Sequence, residues 1–476
     1  DKSSLIWQFL GESVLMALVA FLVAMLFTIL LLPFFRNVSG KELSFSFTQL
    51  WPLLAGFLAL ALFTGLLAGS YPAFYLSSFQ PVKVLKGKFS NSLAAVTLRK
   101  GLVVFQFVIS VALIVASVVI ANQMKFLRSK DLGFSKDQQL VLPIRSLTAK
   151  NLYGSLKNEI SRNPQVASVG ASLYYPGIFN PMDWLLYKQG LTMKESKRVF
   201  MNFIDNSFLQ TLHITPVAGR LFSPQYPGDT ASRIIINENA VKEFQFASAT
   251  DAIGKWIAAD WDGNQSRFEI VGVVKDFHFK DLHTPVEPYG FLLNSRPEYN
   301  YLIAHTKNGA VSNTLKAIEA TWHQLNPSEP FEYSFLDQDF QKNYLAENRL
   351  ASLIAYFTVI AILISCLGLF GLASFSAEQR TKEIGIRKVM GASVRNIVGL
   401  LSKDFLKLVG IAIVIASPVA WYVMDKWLQN FAYRTPISVY VFIVTAVIAV
   451  CIALFTISFQ AIRAAITNPV KNLRTE

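Results

Sequence analysis

The sequence predicts an α-helical polytopic membrane protein, with six transmembrane helices in this chain and a mixed α/β, two-lobed extracytoplasmic domain. Three observations predict it. Of the 476 residues 53% are hydrophobic and only 16% charged, with a mean hydropathy of +0.39, where an ordinary soluble domain carries roughly 25% charged residues. Six runs reach the about 20 mostly apolar residues that a spanning helix needs. One long polar segment, 122–349, separates the third run from the fourth. This balance excludes a disordered chain, a fibrous repeat and a small disulfide scaffold.

The six runs are Ser13–Phe35, Trp51–Leu76, Gly101–Ala121, Ser352–Phe375, Leu406–Met424 and Val439–Phe459. The first is too long and too weakly basic at its start to be a signal peptide. The net charge is +13, and its placement is informative: 122–349 holds 24 basic and 23 acidic residues, leaving 20 basic and 8 acidic residues beside the apolar runs. That pattern marks membrane topology. A nucleic-acid footprint would be a basic patch on the polar domain, so the lipid bilayer is an expected partner and nucleic acid is not.

Orientation follows from the positive-inside rule. Lys83, Lys86, Lys88, Arg99 and Lys100 crowd the segment after the second run, and Arg380, Lys382, Arg387, Lys388 and Arg395 the one after the fourth. Both chain termini are therefore expected in the cytoplasm and 122–349 outside, in the periplasm of a diderm bacterium. The expected organisation is two spans and a basic linker over 1–100, a span over 101–121, the exterior domain with helical stalks over 122–349, and three spans over 350–476 with a cytoplasmic loop at 376–395.

Charge is almost absent from the spans. Glu12, Lys403, Asp404 and Lys407 lie at cytoplasmic ends and read as interfacial, which argues against a proton-coupled transporter. Gly65 and Gly69 form a GxxxG, and Ala361 with Ser365 a small-xxx-small pair; both favour close helix packing. Pro418 is expected to kink the fifth span. Cys366 and Cys451 lie in apolar runs with no partner at metal spacing, so they read as small buried apolar side chains.

The chain also repeats itself. Ala61-Leu62-Phe63-Thr64 recurs as Ala453-Leu454-Phe455-Thr456, Glu12 falls on Asp404 at the same offset, and Pro81–Lys86 matches Pro469–Arg474. The first two spans thus repeat the last two, and Asp1 aligns with Ser393, in the middle of a repeat unit. The expectation is a parent of eight spans in two four-span units, with an N-terminal half-unit missing from this chain.

In 122–349 alternation and punctuation suggest two β-α-β patterns around an insert. The first has strands at Gln139–Ile144 and Val166–Ser172 around a helix at Lys150–Ser161. The second has strands at Tyr301–His305 and Phe331–Phe335 around a helix at Val311–Leu325. The insert holds a strand at Arg233–Ile236, a helix from Glu238 and a strong strand at Phe268–Lys275. Gln123–Lys130 extends the third span as a stalk. The best chemical cluster is Asp276, His278, Asp281 and His283. Alternation separates its members and Lys275 and Lys280 compete with a cation, so it reads as a polar strand end. His213, His305 and His323 read as ordinary surface or core residues. No catalytic or metal residue is assigned.

The most distinctive stretch is Glu378–Ala392, EQRTKEIGIRKVMGA. Ile386, Met390, Val394, Ile397 and Leu401 are spaced for one helical face, with charges of both signs elsewhere. Composition alone leaves two readings open: docking into a protein groove, or lying on anionic lipid.

With two following spans and a Pro-Val-Lys tail, this stretch resembles the FtsX-like permease family of ABC transporters. The segment 122–349 resembles a MacB-type periplasmic core domain, through Ile235–Val241, Asp251–Lys255 and Val271–Phe279. The nearest pattern is the duplicated eight-span permease, from which this chain departs by lacking the first half-unit; 1–100 would be the end of a first FtsX-like unit and 350–476 a second. The resemblance implies an inner-membrane permease subunit, for efflux or envelope mechanotransmission. It implies an ABC ATP-binding subunit in two copies that supplies ATP and Mg, no cofactor bound directly, and a periplasmic adaptor or cell-wall enzyme as a further partner. It also implies that Glu378, Arg380, Lys382, Glu383, Arg387 and Lys388 are polar contacts to the ATPase, and that Gly385 and Gly391 permit close approach or a turn. The sequence contains no Gly-x-x-x-x-Gly-Lys-Ser/Thr phosphate loop, so it is expected not to be an enzyme. The alternative is a membrane receptor or sensor with a ligand-binding exterior domain.

Overall fold

Backbone amides and carbonyls in hydrocarbon must pair within their own segment, so apolar runs of this length become helices. The computed structural model describes residues 2–40, 47–77, 93–261, 264–294, 298–307 and 311–466. It contains six helices long and apolar enough to cross a membrane: Lys2–Ser39, Phe47–Ser77, Leu93–Ser129, Leu345–Gln379, Val394–Leu428 and Val439–Ile466. They are referred to as the first to sixth long helices. Several outrun their apolar cores. The third has 37 residues and the fourth 35, because hydropathy reports only the part facing hydrocarbon while the helix continues through amphipathic ends. The basic segment of 78–92 and the Pro-Val-Lys tail lie outside the described residues.

The chain divides into two compact units. One comprises Asp1–Ala121, Glu347–Asp425 and Ile437–Glu476; the other comprises Asn122–Ala346 and Lys426–Pro436. In the first, the third to sixth helices share a core in which large side chains (Phe107, Leu369, Phe405) meet small ones (Ala412, Ala416, Ala449, Ala453). Small residues let helix backbones approach closely where lipid gives no hydrophobic drive between helices. Some polar groups are paired across helices: the Ser110 and Ser365 hydroxyls lie 2.9 Å apart, and Thr358 Oγ1 donates to Leu113 O and Ile354 O. Ala361, one turn before Ser365, is half-buried. The first two helices cross at the glycine pair. A Cβ on Gly65 would stand 3.0 Å from Ala17 Cβ and one on Gly69 2.9 Å from Ser13 Cβ. The cysteine expectation needs correction: Cys451 is exposed and Cys366 half-buried. An apolar run in lipid has no need to hide a thiol, so position in a span does not imply burial.

The second unit is one mixed sheet of eleven strands: β1 Gln139–Pro143, β2 Val166–Ser172, β3 Asp183–Lys188, β4 Lys197–Ile204, β5 Pro216–Gly219, β6 Arg233–Asn237, β7 Trp256–Trp261, β8 Asn264–Val274, β9 Tyr289–Leu293, β10 Tyr301–Thr306 and β11 Ser334–Phe335. The path β4-β3-β7-β8-β6-β9 closes on itself, since β9 also runs parallel beside β4 over Phe200–Ile204. Closure removes the free edges that invite aggregation. An arm, β11-β1-β10-β2, joins this ring through a single pair, Ser172 with Ile204. Ring and arm have separate hydrophobic clusters, one around Met201, Ile236, Ile257 and Val273, the other around Leu142, Ala171, Leu302, Ile318 and Trp322.

The helix Val311–Leu325 covers the arm by burying Thr314, Ile318 and Trp322, spaced by four. The helix expected at Lys150–Ser161 is instead two, Leu147–Asn151 and Tyr153–Ser161, parted at Leu152 where ψ reaches 0°. The strand expected at Phe331–Phe335 shrinks to Ser334–Phe335, because only Leu140 and Val141 pair with it.

β8 meets β5, β6 and β7, and Gly272 makes this crowding possible. A Cβ there would lie 2.1 Å from the Arg220 carbonyl oxygen. Backbone cannot yield as a flexible side chain does, so Gly272→Ala must part β5 from β8. The expected loss is at least about 2 kcal/mol, read as a lower unfolding midpoint of the purified chain; an unchanged midpoint would refute the crowding argument.

Candidate coupling site

The fourth helix ends at Gln379, and Arg380, with ψ at 13°, turns the chain into a separate nine-residue helix, Thr381–Val389. That helix stops in a Schellman motif. Gly391 takes φ +87°, the Ala392 amide donates to Arg387 O and the Gly391 amide to Lys388 O, which satisfies carbonyls the helix leaves open. Ser393 Oγ then accepts from the Asn396 amide at the start of the fifth helix. Gly391 thus fixes a turn, whereas Gly385 is buried inside the helix without positive φ.

The break redistributes the apolar face read from the sequence. Ile397 and Leu401 are buried, but their partner is Ile384, with Ala392 and Val398 packed alongside. Ile386, Val389, Met390 and Val394 are exposed, Met390 at 81%. One continuous helical face from Ile386 to Leu401 would have required an unbroken helix, and the left-handed residue at 391 changes the phase. The outcome is an exposed apolar ridge with charges beside it. Glu383 and Arg387 pair one turn apart at 2.7 Å. Arg380 Nη2 donates to Asp404 Oδ2 of the fifth helix at 3.0 Å, a role missed when Asp404 reads as merely interfacial. Glu378 is exposed on the last turn of the fourth helix and Lys388 half-buried; the Lys382 side chain lies outside the described residues. Such exposed pairs are each worth about 0–1 kcal/mol, so the charges are available to a partner at little cost.

The second candidate, Asp276 to His283, divides. Asp276 Oδ1 accepts from the Asn239 amide at 2.8 Å, and Lys242 Nζ stands 3.7 Å from the carboxylate; burial nevertheless holds this carboxyl above its ordinary range. His278 packs edge-on against Tyr433, ring centres 4.7 Å apart, beside a polar cleft of about 370 Å³ also lined by Asp131, Lys242 and Lys275. Asp281 and His283 turn elsewhere: His283 Nδ1 lies 3.1 Å from Asp281 Oδ1 and its ring stacks on Phe431. Among the described residues no group of three or more His, Cys, Asp or Glu is arranged to hold a metal.

What surrounds these residues was not legible beforehand. The segment Lys426–Pro436 returns to this corner, and Gln123 on the third long helix binds it. Gln123 Nε2 donates to Tyr433 O, while its Oε1 accepts from Thr435 N and Thr435 Oγ1. The Ala432 amide donates to His283 O, the Val286 amide to the Tyr433 hydroxyl, and Lys130 Nζ sits 4.5 Å above the Tyr433 ring. Replacing Gln123 with Leu would strand the Thr435 amide and the Tyr433 carbonyl, at about 1–3 kcal/mol for each group left unpaired. Faster amide exchange across 431–436, with little change in the β2–β10 ladder, is the expected result; unaltered protection there would show that Gln123 does not hold the segment.

His278 is pushed down to about 4, first by burial and then by the Lys130 ammonium, with Asp131 opposing. An imidazole with a lowered folded pKa binds fewer protons than in the unfolded chain between about 4 and the unfolded value near 6.5, so stability falls as pH drops through that window. The full penalty is on the order of 3 kcal/mol. His278→Gln should flatten this dependence, so that its unfolding midpoint at pH 4.5 falls less from the pH 7 value than that of the parent. Parallel declines would exclude His278 as the source.

Residues 355–469 match the FtsX-like permease C-terminal family, and residues 101–320 the MacB-like periplasmic core domain. A curated relative, the probable syringafactin export ATP-binding/permease protein of Pseudomonas syringae pv. tomato, is 22% identical over 200 residues, covering 40% of this chain and 29% of the relative. The match therefore spans under a third of that relative's length. Two solved structures are similar over the exterior segment. The periplasmic region of MacB from Actinobacillus actinomycetemcomitans gives 12% identity, TM-score 0.31, 45% of this chain and 96% of that one. The extracellular domain of the noncanonic ABC-type transporter YknZ from Gram-positive bacteria gives 13% identity, TM-score 0.29, 41% of this chain and 97% of that one. This multi-pass membrane protein with a periplasmic-type domain belongs to the FtsX-like permeases that carry a MacB-like periplasmic core domain.

Proposed function

We propose that the chain is the membrane subunit of an ABC transporter, in which ATP hydrolysis by a separate subunit moves the periplasmic domain. The observation that carries this reading is the helix Thr381–Val389, whose exposed Ile386–Val389–Met390 ridge is flanked by Glu383, Arg387 and Lys388. An apolar ridge with a charged rim is what a protein groove selects: the ridge supplies affinity and the charges register. The ATPase, in two copies, brings ATP and Mg, and Glu378 and Arg380 complete the rim. In this reading the loop and both termini are cytoplasmic, the protein lies in the inner membrane, and the periplasmic domain has two lobes, the closed strand ring and the arm, each with its own hydrophobic cluster.

Motion would travel along helices. The third, fourth and fifth long helices are each continuous, over Leu93–Ser129, Leu345–Gln379 and Val394–Leu428. Spans with almost no charged side chain in their interiors favour force transmission over passage of a polar solute. The work done outside would be export, as in the name of the curated relative, or control of a periplasmic adaptor or cell-wall enzyme.

The test is copurification with a candidate ATPase, comparing the parent with Glu383→Lys plus Arg387→Glu. The double reversal keeps an opposite-charge pair at the same spacing, so the helix survives within a few tenths of a kcal/mol. Only a partner senses the exchange. Association and stimulated turnover are expected to fall at least tenfold; if both persist, the ATPase does not dock on this helix.

A further inference from the structure

One corner beside the arm, away from the coupling helix and the turn around His278, gathers buried polar atoms that have no hydrogen-bond partner. Gln139, the first residue of β1, lies directly opposite His305 of β10, so their side chains are neighbours on one face. Gln139 is fully buried. Its Nε2 donates to Thr211 O at 2.7 Å, while its Oε1 has no partner. Thr211, also fully buried, has an unpartnered Oγ1. Two residues on, His213 adopts φ +55° and sets its ring against that of His305, centres 5.0 Å apart and planes at 76°. The His305 Nδ1 is buried and unpartnered as well.

We propose that this corner binds an imidazole-seeking divalent cation of the Zn2+ class, held by His213 and His305 with Gln139 Oε1 and Thr211 Oγ1 beside it. Each orphaned buried polar atom costs about 1–3 kcal/mol, and a single ion in this corner would give the orphaned atoms of these neighbouring residues a partner. Two imidazoles bound to one tetrahedral ion at about 2.0–2.1 Å would place their ring centres about 5 Å apart, a separation that edge-to-face ring packing also gives, so the spacing found admits a shared ion without repacking. The four groups include no carboxylate, so Mg2+ and Ca2+, which demand hard oxygen donors, fit poorly. The exposed edge of His213 gives the ion a way in from solvent. The site is independent of the transport reading.

The test uses the full chain, purified in detergent, stripped with EDTA and titrated with Zn2+ against a chromophoric chelator. One saturable equivalent is expected. His213→Asn, which keeps a residue tolerant of positive φ, should weaken it at least tenfold, as should His305→Gln, while His323→Gln leaves it unchanged. Loaded with Cu2+ instead, the parent should show superhyperfine coupling to two nitrogens and His213→Asn to one. No saturable Zn2+ binding by the parent, or undiminished binding in His213→Asn, overturns the proposal and leaves a buried water as the partner of the orphaned atoms. Should His305→Gln fail to fold, His213→Asn decides alone, because its side chain lies at the surface.

Discussion

The side-chain amide of Gln123 is fully buried and spends all of its bonding on one segment, Tyr433–Thr435. A non-helical connection between two long helices must find partners for its own amides and carbonyls, and this one finds them in the second unit. Ala432 and Tyr433 donate to His283 and Leu282 carbonyls, the Leu282 amide in turn donates to the Tyr344 hydroxyl, and Gln123 closes the far side. The connection is thereby ordered by the same residues that shape the turn around His278. Moving Tyr433–Thr435 away from Gln123 therefore breaks buried hydrogen bonds within the second unit.

The opposite design governs the link between the fourth and fifth helices. There the chain breaks twice, at Arg380 and at Gly391, and between the breaks a nine-residue helix is held by three aliphatic side chains and the ion pair from Arg380 to Asp404. An isolated helix of that length is marginal in water, so its stability comes from Ile384 packing on Ile397 and Leu401. The breaks at Arg380 and Gly391 leave this short helix with a small buried face, whereas Tyr433–Thr435 is tied down by the buried amide of Gln123. Mobility at one place and order at the other are both consequences of how many buried contacts each segment owns.

The spans, the helix Val311–Leu325 and the strand β2 were legible because each obeys one period over its whole length. The end of the third span was legible in two parts: hydropathy falls at Ala121, and the helix runs on to Ser129 as the expected stalk, since amphipathic residues propagate a helix as well as apolar ones. β3, β4 and β9 escaped notice. β9 is buried on both faces and so shows no alternation, and its parallel pairing with β4, which closes the ring, joins segments almost ninety residues apart in register. The exposed ridge was misread because spacing assumes a continuous helix, and one glycine at positive φ cancels that assumption. Gln123 was placed at the start of the stalk, but its bonding to Tyr433 and Thr435 could not be read. A polar residue at the end of an apolar run looks interfacial, and its partners are more than three hundred positions away.

The seam between ring and arm follows the same logic of buried polar pairing. Only Ser172 and Ile204 pair across it in the sheet, which by itself would make a hinge. Immediately beyond, the carboxylate of Asp205 is buried and fully engaged. It accepts from the Tyr153 hydroxyl, Lys157 Nζ and the amides of Ser207 and Phe208, while its own amide donates to Ala171 O. Burial and the adjacent Asp205 charge drive the Tyr153 hydroxyl far above its ordinary range, so it stays a donor at any physiological pH. Opening the seam would part a buried charge from its partners, at about 3–5 kcal/mol, more than the ladder bonds there could recover. Two hydrophobic clusters joined at so narrow a place are therefore locked by electrostatics instead of area.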